Sequence, residues 1–271
     1  MPMANPKPAV VPEDDYFVRL VERTPSNLSG YTLIEGFPGM GLVGTISVKY
    51  LTEKLGFLPI GFLETNLFMP VVRIHEGLPV HACRIFAHDK LRLVALVSEQ
   101  VVPNNRIDLV ARRVVEWVKA RKIRRVMSLS GIQVAGDDSK SPEDNGEIFG
   151  FASNEKSRAW LRKNHIQVIK EGVTTGINAL VLLALEDENI EAVCLLGQVR
   201  TSADYTASAV LLKKLNEMLD LSINLEPLHA EARETERAIL DHFQRVKDAT
   251  SAAQKFEQQA TVGSDDTPMF T

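Results

Sequence analysis

A glycine-rich turn near the start of the chain constrains its fold more than any other feature of the sequence. An apolar, strand-like run at residues 31–36 leads into this turn, and a segment whose apolar residues have helical spacing follows it. The turn consists of Gly36, Phe37, Pro38, Gly39, Met40, Gly41, Leu42, Val43 and Gly44. A strand that turns on glycines into a helix, which we expect to stop at Gly56, is typical of an α/β fold.

The segment after this helix predicts several short antiparallel strands. Its apolar and β-branched residues fall into four runs, at residues 58–64, 71–75, 80–87 and 91–98. Residues 77–79 and 88–90 have the composition of turns, so we expect an antiparallel meander here. Residues 16–21 form a candidate edge strand that precedes the glycine turn.

From residue 107 onward the pattern alternates between helical and strand-like segments. We expect helices at residues 107–118, 154–163, 176–185 and 207–219. We expect strands at residues 123–129, 167–170 and 192–196, with a polar loop at 136–147. Alternating helices and buried strands predict a largely parallel sheet that is covered on both faces.

The predicted organisation is one α/β domain at residues 15–225 with extensions on both sides. Residues 1–14 are rich in proline and predict a flexible arm, and residues 260–271 predict a flexible tail. A long helix is expected at residues 226–259. Its apolar stripe, which includes Ile239, Phe243 and Val246, is narrow and suits packing against a helix of another subunit.

Composition argues against several classes of function. A formal net charge of -4 disfavours nucleic acid as a partner, and no apolar stretch approaches the roughly 20 residues that span a membrane. The two cysteines, Cys83 and Cys194, lie in apolar strand-like segments and predict buried thiols in a reducing compartment, the cytoplasm. The histidines lack metal-ligand spacing, so we expect neither a metal nor a cofactor.

The glycine turn also admits a ligand-binding interpretation. Gly39, Gly41 and Gly44 match the spacing of the dinucleotide fingerprint, and Glu64 lies where that fingerprint places an acidic, ribose-binding residue. The antiparallel meander that follows does not fit a dinucleotide-binding unit, which needs alternating strands and helices. The small residues would instead let the helix pack closely on the sheet. A nucleotide- or nucleoside-binding α/β enzyme that uses residues 36–44 remains the alternative prediction.

The turn at residues 36–44 resembles the hallmark turn of the archaeal proteasome assembly chaperone 2 family. The likeness continues at Ser130-Gly131, at residues 175–180, at residues 195–197 and in the alanine- and leucine-rich segment 207–219. Together these segments extend over residues 16–225. Where relatives often carry Pro-Asp-Pro after the late strand, this chain has Ser202, Ala203 and Asp204.

The resemblance implies a three-layer α/β/α sandwich with a mixed central sheet, similar to phosphorylase/hydrolase-like folds. It also implies a homo-oligomer, for which we expect a tetramer, with a trimer or pentamer as alternatives. The implied partners are α-subunits of the 20S proteasome or its assembly intermediates. The protein would be an assembly chaperone or an ATP-independent activator without catalytic residues.

The last three residues of the sequence are Met269, Phe270 and Thr271. They resemble the hydrophobic-tyrosine-any ending with which proteasome activators dock between α-subunits. Such a tail presents an aromatic ring to an apolar slot and a terminal carboxylate to a lysine. Phe270 stands where tyrosine is usual and lacks its hydroxyl. These three residues are the predicted contact with the proteasome α-ring.

Overall fold

The computed structural model describes residues 16–24, 26–133, 147–228 and 241 of this chain. The strands in chain order are β1 Val18–Glu22, β2 Thr32–Gly36, β3 Leu58–Thr65, β4 Arg73–His75, β5 Leu78–Val80, β6 Cys83–His88, β7 Leu93–Ser98, β8 Arg125–Ile132, β9 Ile148–Ala152, β10 Gln167–Val168 and β11 Glu191–Gln198. The helices are α1 Val43–Lys54, α2 Ile107–Ala120, α3 Glu155–Lys163, α4 Ile177–Ala184 and α5 Tyr205–Leu219.

The centre of the described domain is a mixed sheet of nine strands in the order β1-β3-β6-β7-β2-β8-β11-β9-β10. The central strands β7, β2, β8 and β11 are parallel to one another. On one side the sheet continues through β6, β3 and β1, each antiparallel to its neighbour. On the other side β9 pairs antiparallel with β11 and parallel with β10. The expected parallel sheet is therefore confirmed, and the antiparallel meander consists of β3, β6 and β7.

Helices cover both faces of the sheet and enclose two hydrophobic cores. Buried residues of α1 and α5, together with Leu161 of α3, form the core on one face. Buried residues of α2 and α4 form the core on the other face. Because each core lies between helices and the same sheet, the expected three-layer α/β/α arrangement is confirmed.

Side chains in the sequence fix the starts of two helices. The side-chain oxygen of Asn154 accepts a hydrogen bond from the Ser157 amide at 2.9 Å and caps α3. The carboxylate of Asp204 accepts from the Ala207 amide at 2.8 Å and caps α5. Both residues are of the types that favour helix N-caps, because their short side chains satisfy amides that lack an intrahelical partner.

Two local predictions are wrong. The turn expected at residues 77–79 lies at Glu76 and Gly77, both with positive φ, whereas Leu78 and Pro79 belong to β5. β4 and β5 form a separate two-stranded hairpin rather than a part of the meander. Strand β9 was not predicted at all, because its short sequence lies beside a polar loop and carries no clear alternation.

Several predicted features lie outside the described residues. They are the flexible arm at 1–14, most of the polar loop at 136–147, most of the C-terminal helix with Ile239, Phe243 and Val246, and the tail with Met269, Phe270 and Thr271. Within the part of the chain that is described, no helix is both long and apolar enough to cross a membrane. Cys83 and Cys194 are both buried and unpaired, as predicted.

Candidate interaction surface at the carboxyl edge of the sheet

The glycine turn lies at the edge of the sheet where the parallel strands end. β2, β7, β8 and β11 run in the same direction, so their carboxyl ends share this edge. β3 also ends at this edge. It is antiparallel to β6, and β6 is antiparallel to β7, so β3 runs in the same direction as β7. In open α/β sheets this edge is the usual place for ligands and partners.

Close packing, rather than an open cradle, explains the first and last glycines of the turn. A Cβ atom on Gly36 would lie 2.2 Å from the carbonyl oxygen of Gly44, and a Cβ on Gly44 would lie 2.2 Å from that of Leu129. Both distances are far shorter than real contacts. These glycines therefore let the start of α1 approach β2 and β8 at backbone distance.

The middle of the turn packs in the same way against the loop before α5. Gly41 has φ +61 and its side-chain position is filled by Val199, whose Cγ1 atom would lie 2.6 Å from an added Cβ. The amide of Asp204 donates to the Gly41 carbonyl at 2.8 Å. Leu42, with φ 51, also adopts the left-handed conformation, and it leads directly into α1.

The features of a dinucleotide site are not brought together. Glu64 lies on β3, and β6 and β7 separate it from β2, which corresponds to roughly 14 Å across the sheet. Its carboxylate is paired with Arg19 of the edge strand at 2.9 Å. Asp204 packs against Gly41: its amide donates to the Gly41 carbonyl, and its Cβ atom would lie 3.3 Å from a Cβ added at position 41. The close-packing interpretation of the turn is the one that fits this geometry.

Exposed apolar side chains collect at the same edge. Six of the large apolar side chains that are exposed in the described residues belong to segments at the carboxyl edge, namely Phe17, Met40, Val72, Ile74, Leu78 and Val101. Met40 is the outermost residue of the glycine turn and is 49% exposed. An edge that displays apolar side chains from the turn, the hairpin and the end of β7 has the character of a protein interaction surface.

A buried charge cluster fixes the hairpin to this edge. Glu99, directly after β7, accepts from the guanidinium of Arg73 in β4 and, at 3.1 Å, from that of Arg84 in β6. The Glu99 side chain is only 6% exposed. Because the hairpin has just two strands, it depends on such tertiary contacts for its position.

Sequence reasoning missed the separation of the hairpin from the meander, and it also missed the anchor. The available signal was the presence of Val72, Ile74 and Leu78 in a short segment interrupted by Gly77 and Pro79. A solvated loop would not carry these apolar residues, so they indicate a surface that contacts protein. The pairing of Arg73 with Glu99 had no signal at all, because it joins positions 26 residues apart without a periodic pattern.

The PAC2 family matches residues 33–242 of the chain, which are most of the domain just described and include the glycine turn. The chain belongs to this family, the proteasome assembly chaperone family, and the resemblance noted in the sequence is confirmed. A relative from Methanocaldococcus jannaschii, described as an uncharacterized protein, is 28% identical over 223 residues, which are 82% of this chain and 89% of the relative.

Solved structures of two archaeal proteins share the fold. Pyrococcus furiosus PbaA, described as an archaeal homolog of proteasome-assembly chaperone, is 25% identical with a TM-score of 0.74, over 86% of this chain and 99% of that one. Pyrococcus furiosus PbaB, described as an archaeal proteasome activator, is 20% identical with a TM-score of 0.68, over 83% of this chain and 98% of that one. The second likeness is one of fold alone.

Proposed function

We propose that this protein is a proteasome assembly chaperone and ATP-independent activator that binds the α-ring of the 20S proteasome. The observation that carries the proposal is the likeness to PbaA, which extends over 86% of this chain at 25% identity. Membership of the PAC2 family supports the same proposal. The packed glycine turn argues against the nucleotide-binding alternative, because its glycines contact atoms of the chain's own fold rather than form a ligand cradle.

The proposed contact is the C-terminal tail, Met269, Phe270 and the carboxylate of Thr271. Burial of the Phe270 ring in an apolar slot would contribute about 1.5–3 kcal/mol, so one tail alone would bind weakly. Several tails on one oligomer would raise the apparent affinity by roughly 10²–10⁴, provided that they dock simultaneously. Function through tails therefore requires an oligomer.

We assign oligomer formation to the C-terminal helix, with Ile239, Phe243 and Val246 on the contact stripe. A tetramer is expected, and a trimer or pentamer would serve the same mechanism. Light scattering on the full chain gives the number directly. Replacement of Phe243 by Glu would place a charge in the stripe and should dissociate the oligomer.

The two buried, unpaired cysteines favour action in the cytoplasm, where thiols stay reduced.

The test is binding of the protein to purified 20S proteasome, with the full chain compared with one truncated after Thr267. Binding that is lost on truncation supports tail docking, and peptide hydrolysis by the proteasome then reports whether the gate opens. Equal binding by both forms would assign the contact to the α/β domain, with the carboxyl edge as the surface to mutate next. Absence of binding to both mature proteasome and free α-subunits would overturn the proposal.

A further inference from the structure

A cavity of about 680 Å³ lies beside β3 and β6, and none of its described lining residues belongs to the glycine turn. Its described lining comes from Arg23 and Thr24, from residues 59–65 of β3, from residues 68, 69, 71 and 72, from residues 79–84 and from Gln100. On this face α1 packs over β7, β2 and β8, and no described helix packs extensively over β3 and β6. The volume is within the range of small-molecule sites, about 300–1,000 Å³, and most of the lining side chains are apolar.

The wall of the cavity includes a stacked aromatic pair, Phe62 and His81, that belongs to neither hydrophobic core. The ring of Phe62 stacks on His81 with centroids 3.5 Å apart and an angle of 5° between the planes. The guanidinium of Arg23 lies 4.9 Å from the centroid of the same ring. Burial and the charge of Arg23 lower the pKa of His81, and the charge of Glu64 partly opposes this shift. Arg23 is exposed and lines the cavity.

The inner end of the cavity carries an excess of positive charge. Arg84, which lines it, shares the single Glu99 carboxylate with Arg73, so two guanidinium groups face one carboxylate. Burial lowers the pKa of Arg84 and the neighbouring Arg73 lowers it further, while the charges of Glu99 and Glu53 oppose this shift. Burial and the charge of Arg73 also lower the pKa of Lys49, on the flank of α1. Within the described part of the chain, two buried atoms of this cluster have no hydrogen-bond partner, Nε of Arg84 and Oε2 of Glu99.

We infer that this cavity binds an organic anion, a carboxylate, sulfonate or phosphate attached to an apolar body. The apolar body would lie along β3 against Phe62, and the acidic group would lie between Arg23 and Arg84. Glu64 is the carboxylate among the described lining residues, and its ion pair with Arg19 at 2.9 Å reduces its repulsion of an anion. The inference is independent of proteasome binding, because none of these residues belongs to the tail or the C-terminal helix.

Two fluorescent probes of similar shape test the inference on the full chain. 8-Anilinonaphthalene-1-sulfonate carries an acidic group, and N-phenyl-1-naphthylamine has a matching aromatic body without it. We expect the sulfonate to bind the native protein more tightly. Arg23→Gln should weaken its binding by about tenfold, since a charged hydrogen bond is lost, and should leave the neutral probe unaffected. His81→Ala should weaken both probes, because it removes part of the stacked wall.

Arg112→Gln on α2 is the matched control, because Arg112 is 65% exposed and lies on the opposite face of the sheet. Circular dichroism confirms that each variant folds, which is expected because Arg23 is exposed and pairs with no carboxylate in the described part of the chain. The inference is overturned if the native protein does not bind the sulfonate probe. It is equally overturned if Arg23→Gln and Arg112→Gln bind both probes as the native protein does.

Discussion

Gly44 in the first turn of α1 lies against the carbonyl oxygen of Leu129 in β8, and a Cβ atom at position 44 would approach that oxygen to 2.2 Å. The contact joins α1, which follows β2 in the chain, to β8, which is the neighbour of β2 in the sheet. α1 can lie this close to the sheet only because residue 44 has a hydrogen atom in place of a side chain. The glycine is thus a requirement of packing at the carboxyl edge.

Gly44→Ala should destabilise the domain by about 3 kcal/mol, because the obstacle is backbone and α1 must shift to relieve it. Urea unfolding followed by circular dichroism measures the change. Gly172→Ala is the control, since its added Cβ would meet only Ile169 at 3.6 Å, an ordinary contact. Equal stability of the two variants would show that α1 moves without cost and that the packing argument is wrong.

A buried carboxyl group predicts how stability depends on pH. Glu35 in β2 is fully buried, and burial raises its pKa to about 7 although Ser128 donates a hydrogen bond to it. The folded protein therefore keeps a proton on Glu35 between about pH 4.5 and 7, where the unfolded chain has lost it. Its stabilising contribution is complete below the unfolded pKa and is lost as the pH rises through about 7, at a cost of about 3 kcal/mol.

Glu35→Gln removes the ionisable group and retains its shape. We expect the variant to be more stable than the native protein at pH 8, by up to about 3 kcal/mol, and to differ little from it at pH 5. Urea unfolding at pH 5, 6, 7 and 8 measures this difference. Glu116→Gln on the exposed face of α2 should give no such trend. A difference that stays constant with pH would exclude Glu35 as its source.

Much of this fold could be predicted because it follows from patterns within single segments of the sequence. The apolar spacing of α2 and the run that forms β8 are patterns of one segment, and such patterns report which side of an element is buried. The glycine turn was correctly placed between β2 and α1. Its packing role was foreseen because only close backbone contact or a ligand explains so many glycines together.

The rest depends on contacts between distant segments. β9 has only five residues and is stabilised as a strand by pairing with β11, whose sequence lies about 40 residues later. Nothing in the linear sequence pairs Glu99 with a cation, and it becomes an anchor only when β4 and β6 bring Arg73 and Arg84 to it. Such relations have no period and no motif, so sequence pattern alone cannot find them.

The anchor of the hairpin gives a prediction about local stability. Arg73→Gln should raise the amide exchange rates of residues 73–80 by about tenfold, because the two-stranded hairpin loses its charged contact with the sheet. Glu99 keeps Arg84 as its partner at 3.1 Å, so the core should remain intact. Hydrogen exchange with mass spectrometry measures this. Arg19→Gln, which removes a pair that is 66% and 41% exposed, should leave the hairpin unaffected.

Unchanged exchange in the hairpin of Arg73→Gln would mean that apolar contacts of residues 66–82, rather than the ion pair, hold it in place. Faster exchange throughout the sheet would contradict the local nature of the effect.

The last prediction concerns the tail. If Phe270 occupies the slot that usually receives tyrosine, Phe270→Tyr should tighten binding to the 20S proteasome by about fivefold per docked tail, because the hydroxyl restores a hydrogen bond worth about 1 kcal/mol. Phe270→Ala should abolish detectable binding, and Thr267→Ala, just outside the docking triplet, should have no effect. Surface plasmon resonance with immobilised proteasome gives the three affinities. A tyrosine variant that binds no better than the native chain, together with an alanine variant that binds equally well, would remove the ring from the interface and leave the carboxyl edge of the α/β domain as the surface that meets the α-ring.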